Sequence, residues 1–255
     1  MKLLTRITGV LIALVLVLIV TIRVLFGGGQ RLDDRTTAPV LPASALELVV
    51  NLDYPPGNIA VSKTGRVFFT LHPDGRPPAK VLELVDGKPV PYPDEAFQHP
   101  APGTPHFQSI LSLRIDRQDR LWTLDYADYG QGQPRLLAFD LATNRLVHQY
   151  DFPSHIAGFL SMLNDLQIDA AGEKIYIAET SPIKQTPALI VYDTAKKTSR
   201  RLLEGHPSVA AGPFITQAPG RDMIIYGLYA LRIGVDSIAL DNRGEWLYYG
   251  PVNAD

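Results

Sequence analysis

The residues best placed to do chemistry stand in four short polar steps, each just ahead of an apolar strand phrase: Gly57 and Asn58, Gln108 and Ser109, Asn164 and Asp165, and Gly234 to Asp236. Each step offers an amide or a carboxylate. Gathered on one rim, such oxygen-rich groups would suit a hard cation such as calcium, or would hydrogen-bond a small polar ligand. Singly, Asn and Asp before a strand also cap turns by bonding nearby backbone amides, so the four together point to a site where one alone does not. Proton transfer there would draw on Asp165 or Asp236, with His106 or His155, each a few residues ahead of such a step, as partner. The sequence therefore nominates Asn58, His106, Ser109, His155, Asn164 and Asp236 for a ligand, Asp165 and Asp236 for catalysis, and Asn164 and Asp236 for a divalent cation.

Much other chemistry is excluded. The chain has no cysteine, which rules out a disulfide framework, a thiolate nucleophile, a lipid-modified cysteine and thiolate-bound zinc or iron-sulfur centres. Its six histidines lack metal-ligand spacing. No nucleophile elbow, P-loop or dinucleotide fingerprint is present, and a net charge of −2 gives no electrostatic case for nucleic acid.

The elements that must position these residues recur. IAVSKTGRVFFTL from Ile59, LSLRIDRQDRLWTLD from Leu111, LQIDAAGEKIYIAET from Leu166 and IALDNRGEWLYYG from Ile238 are one phrase written four times. Each is an apolar strand, a polar turn and an aromatic-rich strand. A repeat of about fifty residues with several strands per unit is that of a β-propeller, whose blades are four-stranded sheets set around a channel. The fold class is all-β, a propeller of the six-bladed type cut short at about four blades: the fourth is half written when the chain reaches Asp255. Residues 46–53 read as a strand completing the last blade, and the fourth blade begins near Ile224. Proline-rich residues 89–106 read as a loop across the face. Asp116, Asp169 and Asp241, with Ser62, precede the turns and read as turn chemistry, and Asp125 and Glu179 as caps. Phe68, Trp122, Tyr176 and Trp246 read as core between blades.

The N-terminus differs in kind. Lys2 and Arg6 precede a charge-free apolar run over residues 7–22, followed by Arg23 and then Gly27 to Gly29. No small-residue cleavage site follows, and with residues 24–26 the run approaches the ~20 residues that span a bilayer. The organisation is thus residues 1–29 as signal anchor or signal peptide, 30–45 as linker and 46–255 as propeller. The domain is exported, either anchored and facing the periplasm or cell exterior, or released after cleavage. The helix, uniformly apolar and followed by three glycines, is expected to pack against nothing in the propeller.

The phrases RIDRQDRLWTLD, NDLQIDAAGEKIYIAET with ALIVYD, and IGVDSIALDNRGEWLYYGPV, in that order between Ser109 and Val252, resemble the major royal jelly and Yellow proteins, whose bacterial members are described as dopachrome-tautomerase-related. The resemblance implies a six-bladed, exported propeller that binds small molecules and includes a dopachrome-converting enzyme among its insect relatives. The family's cysteines are absent here. A more distant likeness is to the gluconolactonase and senescence-marker propellers, which hold a divalent metal. Asn164 and Asp236 match two of their ligand positions, while Asn58 stands where a Glu is expected. Three functions follow as expectations: a binding protein or isomerase for a small polar or aromatic molecule, a metal-dependent lactonase, or a non-catalytic module tethered to the membrane.

Overall fold

The structure, a computed structural model, describes residues 2–33, 37–99 and 103–253. Part of the predicted linker and the last two residues of the chain therefore lie outside the described residues. Helix α1 (Lys2–Phe26) is followed by strands in antiparallel sheets. The first blade is β1 (Pro56–Val61), β2 (Val67–Leu71), β3 (Val81–Val85) and β4 (Lys88–Pro91), and the second is β5 (Ile110–Ile115), β6 (Arg120–Asp125), β7 (Arg135–Asp140) and β8 (Arg145–Asp151). The third is β9 (Leu163–Ile168), β10 (Lys174–Glu179), β11 (Ala188–Asp193) and β12 (Thr198–Leu202). Two short hairpins, β13 (Gln217–Ala218) with β14 (Arg221–Asp222) and β15 (Ile224–Ile225) with β16 (Tyr229–Ala230), precede β17 (Val235–Leu240) and β18 (Leu247–Pro251). This is a β-propeller: in each blade the strands pair in chain order, and the first strands β1, β5, β9 and β17 lie side by side.

Local chemistry explains the blades. Asp86 and Gly87, both at positive φ, make the two-residue turn from β3 to β4, the backbone that a right-twisted hairpin requires. The aspartates before the inner hairpins act as read: Asp116 Oδ1 accepts from the backbone of Gln118 (3.0 Å) and Arg120 (2.9 Å), Asp169 from Glu173 (2.8 Å) and Asp241 from Glu245 (2.7 Å). Ser62 does the same for Arg66 at 3.0 Å. Between the second and third blades, buried Trp122, Leu136, Ile177 and Tyr192 share one apolar cluster. Trp122 Nε1 also donates to Asp116 Oδ2 at 2.7 Å, tying that seam to its own turn.

Several expectations are corrected. Residues 46–53 form no strand, and Leu46, Leu48 and Val49 are exposed, while Leu52 packs on the free face of the first blade. The PVPYP stretch is not all loop: β4 runs into it, which an edge strand tolerates because proline there forfeits no ladder donor. Ile224 begins a separate hairpin, and the fourth sheet begins at Val235. Trp246 is 65% exposed. In register it pairs across from Asp241 as Arg120 does from Asp116, so the counterpart of Phe68, Trp122 and Tyr176 is Tyr248, two residues later.

Helix α1 also departs from expectation. Its body is exposed, but its end is docked: the Phe26 ring lies 6.1 Å from that of Tyr229, and Gln30 exchanges backbone bonds of 2.8 Å with Pro213 and Ile215. A Cβ on Gly27 would stand 2.4 Å from the Leu228 carbonyl oxygen, so glycine here permits a close approach and does not act as a hinge.

Candidate functional site

The four inner strands share one irregularity. The register steps from Pro56↔Leu71 to Ile59↔Phe69, from Ile110↔Asp125 to Ser112↔Leu124, from Leu163↔Glu179 to Asp165↔Ala178, and from Val235↔Pro251 to Ser237↔Gly250. Each is a β-bulge, which bends its strand and re-aims the side chains around the extra residue. Repeated around the ring, the bulges build two tiers. One tier is Gly57, Leu111, Asn164 and Asp236; the next is Asn58, Ser112, Asp165 and Ser237. Both tiers line a cavity of about 490 Å³, within the range of small-molecule sites.

Asn58, Asn164, Asp165 and Asp236 are thus brought together. Asp165 is held on both oxygens: its Oδ1 accepts from Ser112 Oγ (2.5 Å), the Leu166 backbone (2.8 Å) and Asn58 Nδ2 (3.4 Å), and its Oδ2 from Arg114 Nη2 (3.0 Å). Asp236 has a different environment. Its Oδ1 accepts from Asn164 Nδ2 at 2.5 Å, while burial, reinforced by the charge of Asp165, pushes its pKa up to about 6. A carboxyl of that kind changes charge near neutrality and can both take and return a proton.

The remaining nominees fall elsewhere. Ser109 lies two residues before Leu111, which holds the bulge position in the second blade; its backbone amide donates to Asp125 Oδ1 at 2.9 Å. Asp125 also accepts from the amides of Gln108 (2.7 Å) and Ala127 (2.8 Å), confirming it as a cap, while Glu179 is buried in an ion pair with Arg201. His106 contacts the carbonyl of Thr104 at 3.2 Å, His155 is exposed, and neither lines the cavity. The imidazole that does is His72, on the loop after β2, together with Asp74.

Sequence reasoning also missed Ser112, Arg114, Ser237 and Tyr129. The first two alternate with leucines along β5, a polar face on an inner strand that could have marked them as channel-lining. Tyr129 sits in one turn of left-handed helix: Ala127, Asp128 and Tyr129 have φ of 52, 52 and 57°, and Gly130 has 68°. Three non-glycine residues in that region are strained. The turn is held by Gly130 N donating to the Tyr126 carbonyl (2.9 Å) and Leu160 N to that of Tyr129 (2.8 Å), and it carries Tyr129 to the cavity wall.

Tested against a divalent cation, the donor set does not fit. Among the described residues no three His, Cys, Asp or Glu side chains are grouped for a metal. Asn58 and Asn164 bring amides, and Asp165 is already engaged by Arg114 and Ser112, which leaves Asp236 as the one carboxylate of these four residues not committed to a cation or hydroxyl.

The sequence pattern of the major royal jelly proteins matches residues 108–255, which include β9 and β17 with Asn164 and Asp236. The chain belongs to the major royal jelly protein family. It is 31% identical over 184 residues to major royal jelly protein 1 of Apis mellifera, covering 66% of this chain and 40% of that protein. To major royal jelly protein 2 of the same species it is 30% identical over 207 residues, covering 73% and 43%. The chain thus spans less than half the length of these royal jelly proteins. Among solved structures it is similar to a gluconolactonase from Xanthomonas campestris, with 11% identity, a TM-score of 0.48, and coverage of 80% of this chain and 72% of that one.

Proposed function

We propose that this chain is an exported royal-jelly-type propeller, tethered by α1, that binds a small polar or aromatic molecule between Asn58, Asn164, Asp165 and Asp236, and that Asp236 moves a proton on it. The observation that carries this reading is the contrast between two of the cavity's carboxylates: Asp165 is fixed by Arg114, while Asp236 is buried and shifted toward neutrality. The supporting feature for the tether is that residues Arg6–Phe26 are long and apolar enough to cross a membrane.

The chemistry such a site supports is tautomerisation. The Asp236 carboxylate takes a proton from a carbon of the bound molecule, and the carboxylic acid so formed returns it to another atom of the same molecule. No oxidant, reductant or metal is consumed. Asn164 holds the carboxylate in place, and the Asp165 charge raises its basicity. The dopachrome-tautomerase-like isomerase implied by the family resemblance is a reaction of this class.

The test uses the full chain in lipid vesicles with an aminochrome such as dopachrome, following loss of its visible absorbance, and calorimetry for binding. Turnover should rise through a pH midpoint near 6, as the base ionises, and Asp236→Asn should abolish it while the aminochrome still binds. Binding without turnover by the wild type would overturn the isomerase and leave a tethered binding module. Hydrolysis of an aldonolactone by the same protein, abolished by a chelator and restored by calcium, would instead favour the metal-dependent lactonase class.

A further inference from the structure

We infer that the mouth end of the propeller lies against the bilayer crossed by α1, with the tip of the β15–β16 hairpin set in the lipid interface. This rests on the membrane-tethered reading above and adds an orientation to it.

Three observations carry it. The first is the short, anchored connection. Phe26 packs on Tyr229, Gln30 is bonded to Pro213 and Ile215, and Arg31 pairs with Asp222 at 2.6 Å, so the chain is fastened to the loop before β17 within a few residues of the helix end. At no more than ~3.5 Å per residue, that connection leaves little slack between bilayer and loop. The second is that this loop also walls the cavity, through Met223, Leu231 and Ile233, so what holds it near the membrane holds the mouth there too.

The third is the character of the end itself. Tyr226 is 94% exposed at the tip of the hairpin, at φ 49°, followed by Gly227 at 68°. Such a turn ordinarily takes Asn-Gly, and a bulky aromatic there is both strained and fully presented. Ile225 beside it is 44% exposed, Ile183 on the adjoining loop 48%, and Phe159 on the loop before β9 68%. Tyr229 Oη donates to the Pro182 carbonyl at 2.8 Å, which ties the hairpin to the Ile183 loop. At the opposite end three of the inner turns, Lys-Thr-Gly, Arg-Gln-Asp and Ala-Ala-Gly-Glu, hold no large apolar residue, while the fourth, Asn-Arg-Gly-Glu, runs into Trp246, 65% exposed, so the contrast between the ends rests on the first three blades. An amphipathic aromatic tip beside aliphatic side chains, with Lys184 and Arg232 nearby in sequence, matches the lipid-water interface, where tyrosine is enriched and basic side chains reach headgroups. The cavity then opens into the interface and meets molecules that partition there.

The absence of cysteine makes the test direct. Tyr226→Cys, Ile183→Cys and, on the opposite end, Ala195→Cys would each be labelled with an environment-sensitive fluorophore in the full chain, reconstituted in phosphatidylcholine vesicles doped with nitroxide lipid. Labels at 226 and 183 should be quenched several-fold more strongly than that at 195. Equal quenching at all three positions in vesicle-bound protein would overturn the orientation and leave the tether standing. Protein recovered from cells with an N-terminus beyond Gly29 would overturn the tether, and the orientation with it. Because 226 and 183 lie on different loops, failure of either variant to fold leaves the other to decide.

Discussion

Asp236 and Asp241 stand at the two ends of one strand and behave in opposite ways. Asp241, just past β17, accepts the backbone amides of Trp246 (3.0 Å) and Glu245 (2.7 Å), and these bonds hold its carboxyl below the usual carboxylate range. Asp236, in the bulge, has the amide of Asn164 from the neighbouring blade, and burial carries its pKa up to about 6. Asp165 and Asp116 repeat the contrast one and two blades away: Asp116 is satisfied within its own hairpin, Asp165 by side chains of other blades. The propeller has two ends bearing aspartates. Partners local in sequence make a structural cap, whereas partners drawn from other blades make up the candidate site.

The largest effect should come from breaking the turn end where it joins the core. Trp122→Ala should destabilise by about 3 to 5 kcal/mol in denaturant unfolding, the usual cost of deleting a large buried aromatic, here with the loss of a bond to Asp116. A loss under about 1 kcal/mol would mean that the blade seam does not depend on Trp122.

Asp116→Ala should cost about 2 to 4 kcal/mol, since it strips partners from Trp122 Nε1, from Arg120 Nε and from two backbone amides. At the mouth the sign reverses. The folded pKa of Asp236 lies above its ordinary value, so its ionisation opposes folding, and that cost grows as pH rises from about 4 through 6. Asp236→Asn should therefore be more stable than the wild type at pH 8, by up to about 2 kcal/mol after allowing for solvent in the half-open cavity, and the gap should close below pH 4. Melting curves at pH 4, 6 and 8 test this, and a variant that unfolds at pH 8 would make Asp236 a cap like Asp116.

Asp241 supplies the smaller, opposite arm. Its depressed carboxyl contributes stability above the ordinary carboxylate pKa that is lost as pH falls through the folded value, so Asp241→Asn should flatten the acid limb alone. The smallest expected effect is that of a chelator: with Asp236 the one uncommitted carboxylate of the donor set, EDTA should leave the melting temperature unchanged, and a clear drop would reinstate a cation at Asn164 and Asp236.

Much of this contrast was legible in sequence because period-two patterning and turn residues are local signals. The repeat located every inner strand, and the step ahead of it located Asn58, Asn164, Asp165 and Asp236. The bulges were not legible. An extra residue in a strand changes which side chain faces the channel without altering composition. The shift in the second blade has another cause: its rim residues Leu111 and Ser112 stand as far before Asp116 as Asn164 and Asp165 do before Asp169, and the polar step at Ser109 drew attention away from that spacing. Trp246 was misplaced for a related reason: the hairpin after Asp241 is one residue longer than that after Asp116, and this shifts the alignment of aromatics. His72 and Tyr129 reach the cavity from loops whose course tertiary contacts decide, so proximity in sequence favoured His106 and His155 instead. Docking of α1 turns on fits such as Gly27 against the Leu228 carbonyl, which no apolar pattern encodes.

The pairing of every strand with its neighbour in the chain has a consequence for how the protein is made. Each sheet draws all its ladder bonds from one continuous stretch, so β1 to β4 can close while the ribosome is still adding β5. If α1 is held in a membrane as proposed, the blades would be laid down one after another on the far side, each offering its exposed face as a template for the next. Trp122 belongs to a seam that cannot form until Ile175, Ile177 and Tyr192 have been synthesised, so a stall between the second and third blades would leave that indole waiting in water as the point where a growing chain is most exposed to capture.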